Sequence, residues 1–464
     1  MGQAALYPRA LVINGDALNQ GLGTGTTVAN LFAGWPPDKL AQIYLNRNQI
    51  QGDAGCSKTW RLEFVKDRVP GLRIAKKSWR VPTQPGMKQI LAACGDGAGS
   101  RGSVLNLRSR PAPITRMRGA VRTMLDSVPY RLSSDLLHDI HAFAPEVIYS
   151  CIGNIQLASL VDRLSRLEGA ATAVHLMDDW LATKHTDSWI WSWHRHQLVR
   201  LSRDLIQRCS ACLAISHKMA QEYETVFGRP FGVFMNCVEL NDAEPTPPDP
   251  HPDAPVRFVY VGGLHLGRWQ SLLEIGQALD GMAGDRPPGR LVLHAPAEDL
   301  ASYVAGRRMP RSMEVGGPLP RSEVQSVLQR ADVMVHVESF GDAERRFTRL
   351  SVSTKIPQYM SVGRPILAYG PGEVASCQYV SASASGVVVG RQDRLDLTEA
   401  LRRLSTDAGL RARLGRQAWL TALDKHNAEI VRERFRQVLA DAAQARHGGT
   451  GEPRASAQAV RRQS

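Results

Sequence analysis

Short β-branched runs alternate with amphipathic stretches along most of this chain, in two separate series. The first series opens with a strand at 10–14 (Ala-Leu-Val-Ile-Asn), a glycine-rich loop at 15–25, a helix at 26–34 and a strand at 40–44. It resumes with helices at 134–143, 153–167, 189–209 and 216–227, set between strands at 146–150, 171–177 and 211–215. The second series has strands at 257–261, 291–294, 313–318, 331–337 and 364–369, with helices at 271–280 and 322–330, another after residue 354, and helical stretches over 398–443. Alternation of this kind predicts parallel sheets covered by helices, hence an α/β chain with two Rossmann-like halves. Six prolines and several aspartates in 241–255 read as a linker. The expected domains are therefore 1–240 and 256–443, followed by a basic tail, 444–464, expected to be disordered. Residues 45–131 show the least regular pattern, and no internal repeat is evident.

Three strand–loop–helix junctions carry candidate chemistry. Gly23, Thr24 and Gly25 close the first glycine-rich loop, which lacks the G-x-G-x-x-G spacing of a dinucleotide fingerprint. Gly262 and Gly263 open a turn that reaches Arg268 just before a helix. In the third, Ser351 to Thr354 offers hydroxyls to cap a helix that has Lys355 and Pro357 in its first turn, after a loop with Arg345, Arg346 and Arg349. Free first-turn amides, the helix dipole and nearby cations make such junctions anion sites. The bland reading is capped surface helices with solvated cations.

Composition narrows the class. The chain has 464 residues with 43% hydrophobic content, as in a soluble globular protein of two domains, and no uninterrupted apolar run of about 18 residues. The N-terminal residues run straight into a strand without the pattern of a signal peptide. Seven scattered cysteines suit a reducing compartment, and the C-x-x-C of Cys209 and Cys212 reads as two packed thiols. The net charge is +13, and residues 66–131 hold 14 Lys/Arg against three Asp, a local excess of +11. Within that segment Met117, Val121, Met124, Leu125 and Val128 mark one helical face flanked by Arg116, Arg118 and Arg122. That face suits either an anionic membrane surface or ordinary packing.

The stretch Ser353-Thr-Lys-Ile-Pro-Gln-Tyr-Met-Ser-Val-Gly-Arg-Pro365 resembles the donor-binding segment of glycosyltransferase family 4, with Gln358 where a ribose-binding glutamate is usual. Leu350 stands where the first of the family's paired glutamates is expected, so Glu338, Asp342 and Glu344 become candidate substitutes. Residues 23–32 resemble the family's N-terminal loop, and Phe231 to Glu239 its crossover between domains. The resemblance implies the GT-B fold, two Rossmann-like domains facing a central cleft, with a last helix that crosses back to the first domain. It implies a retaining transfer of a sugar from a nucleoside diphosphate to a polysaccharide or lipid-linked glycan. Gly23, Thr24, Gly25, Gly262, Gly263, Ser353, Thr354 and Gln358 would bind the donor. Arg268 and Lys355 would stabilise the leaving diphosphate, and His175 would contact the donor sugar or supply a transition-state dipole, with a core histidine as the alternative.

No D-x-D or His/Cys cluster is present, so neither cofactor nor metal is expected, and no nucleic-acid partner. Asp178 and Asp179 are candidates to orient the acceptor hydroxyl. His194 and His196 suit packing or acceptor binding, His265 a turn near the phosphates, and His217 a helix start. The expected location is the cytoplasm, with an anionic inner membrane face as a candidate partner. Two rival readings remain: a GT-B nucleotide-sugar epimerase, which would need acids for proton abstraction, and a non-catalytic basic adaptor.

Overall fold

The computed structural model describes residues 7–18, 24–45, 55–66, 75–80, 132–183, 192–240, 243–245, 254–282 and 288–447. Two compact units emerge, Met1–Phe234 with Arg432–Ser464, and Met235–Val431. The second unit thus begins earlier than the proline-rich segment suggested, and the chain from Arg432 onward belongs to the first.

The first unit is built on an eight-stranded sheet, numbered along the chain as β1 (Ala10–Asn14), β2 (Leu40–Tyr44), β3 (Lys58–Lys66), β4 (Ala75–Arg80), β5 (Val147–Ser150), β6 (Ala171–Leu176), β7 (Ala211–Ala214) and β8 (Gly232–Val233). The strand order is β4-β3-β2-β1-β5-β6-β7-β8, parallel except for the β3–β4 pair. Strands β1, β2, β5 and β6 are buried at every position, because helices cover both faces and leave no solvent side for alternation. That is why they read as continuous apolar runs. The pair β3–β4 lies inside the segment that sequence pattern left irregular; its lysine- and arginine-rich edge lacks the β-branched run that marks the central strands.

Helices of this unit include α1 (Thr24–Leu31), α2 (Ser134–Phe143), α3 (Ile155–Glu168), α4 (Ser192–Arg208) and α5 (His217–Phe227), together with most of the C-terminal helix Ala428–His447. Side-chain oxygens of Ser133, Asn154 and Ser216 accept from the Leu136, Leu157 and Met219 amides and so fix three of these helix starts. The core is closed by Phe435, which stacks edge-on against Phe32, Tyr149 and Phe234. The amphipathic face at Met117 to Val128, with Arg116, Arg118 and Arg122, lies outside the described residues, as do Gly23 and the basic tail beyond 447.

The second unit repeats the plan with six parallel strands: β9 (Val256–Val261), β10 (Gly289–His294), β11 (Met313–Val315), β12 (Val333–Val337), β13 (Ile366–Tyr369) and β14 (Gly386–Val389), in the order β11-β10-β9-β12-β13-β14. Its helices include α6 (Arg268–Gly281), α7 (Arg321–Gln329), α8 (Asp342–Thr348) and α9 (Lys355–Ser361). Phe258, Tyr260, Leu291, Leu293, Val335 and Leu367 form the sheet side of one apolar core against Trp269, Leu272, Ile275 and Leu279 of α6.

Both strand orders reverse direction once. In the first unit the reversal lies between β1 and β5, and in the second between β9 and β12. In open parallel sheets, ligands bind outside the carboxyl ends of the strands that flank such a reversal. The residues following β1, β5, β9 and β12 are therefore where function is expected.

Candidate functional site

In the second unit the two flanking strands end at Val261 and Val337, so the next residues are Gly262 and Glu338. The chain from Gly262 to Gly267 forms a turn into α6, with Leu266 and Gly267 at positive φ. Tyr260 donates from its hydroxyl to the Gly263 carbonyl at 2.6 Å, and the Leu264 amide donates to Asp299 at 2.7 Å, so the turn is tied down from two directions. Tyr359 of α9 straps it further, its hydroxyl donating to the Val261 carbonyl at 3.2 Å.

Two cations converge on this turn. Arg268 begins α6, and its side chain is 15% exposed. Lys355 begins α9; a Cβ at Gly262 would sit 1.7 Å from its Nζ, so only glycine lets the ammonium occupy this place. The same Nζ lies 4.9 Å from the centre of the Tyr260 ring, within range of a cation–π contact. Burial first, and then the neighbouring Arg268 charge, push the Lys355 ammonium down to a pKa of about 7, with Glu338 and Asp299 opposing the shift.

Glu338 is 2% exposed and sits among these charges. Its carboxylate lies 3.6 Å from Arg268 Nη2 and 3.2 Å from His336 Nε2. Burial would raise its pKa, but Arg268, His336 and Lys355 together hold it at about 2. Of the three acids considered as substitutes, Glu338 alone enters this cluster. Asp342 is exposed and pairs with Arg345 at 2.6 Å, and Glu344 lies with it in the first turn of the same short helix.

Several sequence expectations change. The segment carrying Arg345 and Arg346 is the helix α8 rather than a loop, because Asp342 and Glu344 in its first turn favour the helix dipole. Thr354 stands at the N-cap of α9 without a side-chain bond, and its carbonyl accepts from Asn236 Nδ2 at 2.8 Å, while the Ser353 hydroxyl accepts from the Lys355 amide at 3.5 Å. Ser353 is used locally, its amide donating to Ser376 Oγ at 3.1 Å. Gln358 is half-buried on the same helix, one turn beyond Lys355. At the start of α6 the Trp269 and Gln270 amides already donate to Leu264 and Gly267 carbonyls. Side-chain charge, more than free amides, thus makes this turn a candidate anion site.

In the first unit, a pocket of about 210 Å³ sits at the reversal between β1 and β5. Asn14, Asp16, Asn154 and Asp178 supply its polar lining and Met177 and Trp180 its apolar side. Asn14 also accepts from the Cys151 amide at 2.8 Å, which joins the ends of β1 and β5. Thr24 and Gly25 open α1 rather than closing a loop, and Gly25 lines the pocket.

His175 is not at this surface. It is fully buried on β6, its Nδ1 is 2.7 Å from the Tyr149 hydroxyl, and burial holds its pKa down at about 3. It packs within the sheet core and does not line the pocket, so the geometry matches the core-histidine alternative. Asp179 is likewise buried and accepts from the Tyr223 hydroxyl at 2.7 Å, so of this adjacent pair Asp178 lines the pocket, together with Asp16. His194 is buried in α4, while His265 lies 3.9 Å from Asp299 beside the anion site. Cys209 and Cys212 are packed thiols, Sγ to Sγ 3.1 Å. Among the described residues no cluster of three or more His, Cys, Asp or Glu could hold a metal, and no helix is long and apolar enough to cross a membrane.

Pattern alone did not reveal Asp299, Tyr260 and His336 as parts of the site. Asp299 and Tyr260 act from beside the turn by hydrogen bonds, and His336 faces Glu338 only because alternate strand residues share a face.

No protein-family model and no curated protein matches the sequence. Solved structures do match over nearly the whole chain. Sucrose-phosphate synthase from Thermosynechococcus elongatus aligns with a TM-score of 0.58 at 14% identity, covering 94% of this chain and 100% of its own. Anabaena HepE in complex with UDP gives 0.58 at 12% identity, covering 93% and 99%. Trehalose 6-phosphate synthase from Burkholderia multivorans gives 0.55 at 13% identity, covering 97% and 100%. With two parallel-sheet Rossmann-like domains and these structural relatives, the chain has the GT-B fold.

Proposed function

We propose that this protein is a metal-independent glycosyltransferase that moves a sugar from a nucleoside diphosphate to a glycan hydroxyl. The observation that carries the reading is the convergence of Arg268 and Lys355 on the glycine turn after β9. A diphosphate brings two or more negative charges, and two partly desolvated cations at a strand reversal suit it. HepE, similar in fold, is described with UDP and with UDP-glucose, which supports a nucleotide-sugar ligand here.

Chemistry follows from where charge grows. As the bond between sugar and phosphate breaks, negative charge develops on the departing diphosphate. Lys355, fixed against Gly262, and Arg268, fixed beside Glu338, need no reorganisation to meet it, which is how preorganised cations lower a barrier. With two protein cations in place, no bridging metal is required. Asp178, at the pocket of the first unit, is suited to accept the acceptor hydroxyl's proton or hold it by a hydrogen bond, and Trp180 offers an apolar face to a sugar ring. Retention of configuration rests on the resemblance of residues 353–365 alone. A lipid-linked acceptor would bring the enzyme to the inner membrane face, which the +11 charge of residues 66–131 supports.

The test is turnover. Purified protein is incubated with a panel of nucleoside-diphosphate sugars, with and without mixed glycan acceptors, in EDTA. Release of nucleoside diphosphate that depends on acceptor supports the reading. An isomerised sugar nucleotide formed without acceptor points to an epimerase, and binding without turnover points to an adaptor.

A further inference from the structure

A carboxylate at an anion site works against the anion, so Glu338 needs a reason. Its backbone is held on three sides. The Glu338 amide donates to the Tyr369 carbonyl at 3.0 Å, its carbonyl accepts from Ser271 Oγ of α6 at 3.1 Å, and a Cβ on Gly370 would come within 2.8 Å of its own Cβ. The side chain is therefore fixed in place, 3% exposed. Its close contact with His336 and its ion pair with Arg268 lack hydrogen-bond geometry, and among the described residues Oε2 is a buried acceptor with no hydrogen-bond partner. Such a group is costly unless charge around it compensates.

We propose that Glu338 is the positioning residue of this anion site: its buried carboxylate clamps the Arg268 guanidinium and supplies the counter-charge that lets Arg268 and Lys355 share one small turn. The inference rests on the diphosphate reading above and adds to it a residue that does not touch the ligand. Without Glu338, two like charges would lie together with little water to screen them, and Lys355 would lose its proton or swing out. Lys355 meets Arg268 from α6, Glu338 from the end of β12, Asp299 from the segment after β10, and Tyr260 from β9. His265 on the turn also feels its charge. Glu338 is ion-paired with Arg268 at 3.6 Å, so its removal acts on both cations at once.

The test uses the full chain with Glu338→Gln, Glu338→Asp, Arg268→Ala and the double variant Arg268→Ala with Glu338→Gln. The first readout needs no ligand: lysines are reductively ¹³C-methylated, and the Lys355 signal, assigned by its loss in Lys355→Arg, is titrated by NMR. Glu338→Gln should lower its midpoint by about 1 unit or more, the usual effect of removing a close opposite charge. Glu338→Asp, which keeps the charge but withdraws it, should restore the midpoint in part. An unchanged midpoint in Glu338→Gln overturns the proposal.

The second readout is inorganic pyrophosphate binding by calorimetry. Glu338→Gln should weaken it about tenfold in the wild-type background and little in the Arg268→Ala background, the non-additivity expected of groups acting together. Tighter binding in both backgrounds would show that Glu338 merely repels the anion and overturn the idea. If the Lys355 midpoint falls as expected but wild type binds no pyrophosphate, the diphosphate reading fails and the positioning role stands.

Discussion

A methyl group on Gly262 would overlap the ammonium of Lys355, with 1.7 Å between Cβ and Nζ. One backbone atom after β9 and one side chain from α9 thus define the same spot, although 93 positions separate them in sequence. The contact explains why a glycine follows β9 and why a lysine with a long flexible stem begins α9.

Gly262→Ala tests this contact directly. Gly262 has a φ of 157°, which L side chains rarely adopt. The clashing atom is the far end of a flexible side chain, so the fold should adapt at a cost of about 1–3 kcal/mol from backbone strain and crowding together, while the ammonium is driven off the turn. Pyrophosphate affinity should drop at least about tenfold in a protein that still melts cooperatively. Unchanged affinity would mean that Lys355 does not need this place to act.

Affinity should also depend on pH through Lys355. Its pKa in the free protein is about 7 against an ordinary 10.5, and an anion binds the protonated form. Affinity is then greatest below pH 7 and falls as pH rises through 7, by up to about tenfold per unit until the pKa of the complex is reached. Lys355→Arg should remove this break, because a guanidinium stays charged. Calorimetry with pyrophosphate between pH 6 and pH 9 reads both curves.

The adjacent acids of the first unit should separate cleanly. Asp179→Ala strands the Tyr223 hydroxyl in the core and should cost about 1–3 kcal/mol of stability. Asp178→Asn, at the pocket, should leave thermal unfolding unchanged and reduce acceptor-dependent turnover. If Asp178→Asn keeps full turnover, acceptor handling lies elsewhere.

Buried histidines should set the acid limb of stability. His175 and His426 are held neutral by burial, with pKa values of about 3 and about 4. Their unfolded values are near 6.5, so the unfolded chain takes up protons that the folded one refuses. Their contribution is therefore complete above pH 6.5 and is lost as pH falls toward 4. Urea midpoints should decline over that window in wild type, and less steeply in His175→Gln.

Much of this architecture was legible because a doubly covered parallel sheet demands continuous apolar strands, and Ala10–Asn14, Ala171–Leu176 and Val333–Val337 supply them. Arg268 and Lys355 were legible as positions because each opens a helix, Arg268 after a strand and a turn, Lys355 after a short segment that follows α8. His175 misled because a histidine near a strand end can point either way, and its burial depends on Tyr149 from the neighbouring strand. The hydroxyls of 351–354 serve the helix start through Ser353, which accepts from the Lys355 amide, whereas Thr354 at the N-cap adopts helical angles that turn its own hydroxyl away from capping. Glu338 was visible only as one acid among three. What selects it is the pairing of β12 with β9, a long-range fact that no local pattern carries.

The most direct measurement is nucleoside-diphosphate binding by the Arg268→Ala and Lys355→Ala variants, with a panel of bases titrated calorimetrically and kcat followed for any sugar donor that turns over. Wild type should bind at least one nucleoside diphosphate. Each substitution should weaken binding and lower kcat by about 10²–10³, as for loss of one preorganised donor, with melting temperatures maintained. Binding and kcat near wild type in both variants, with the fold intact, would contradict the assignment of this turn as the diphosphate site.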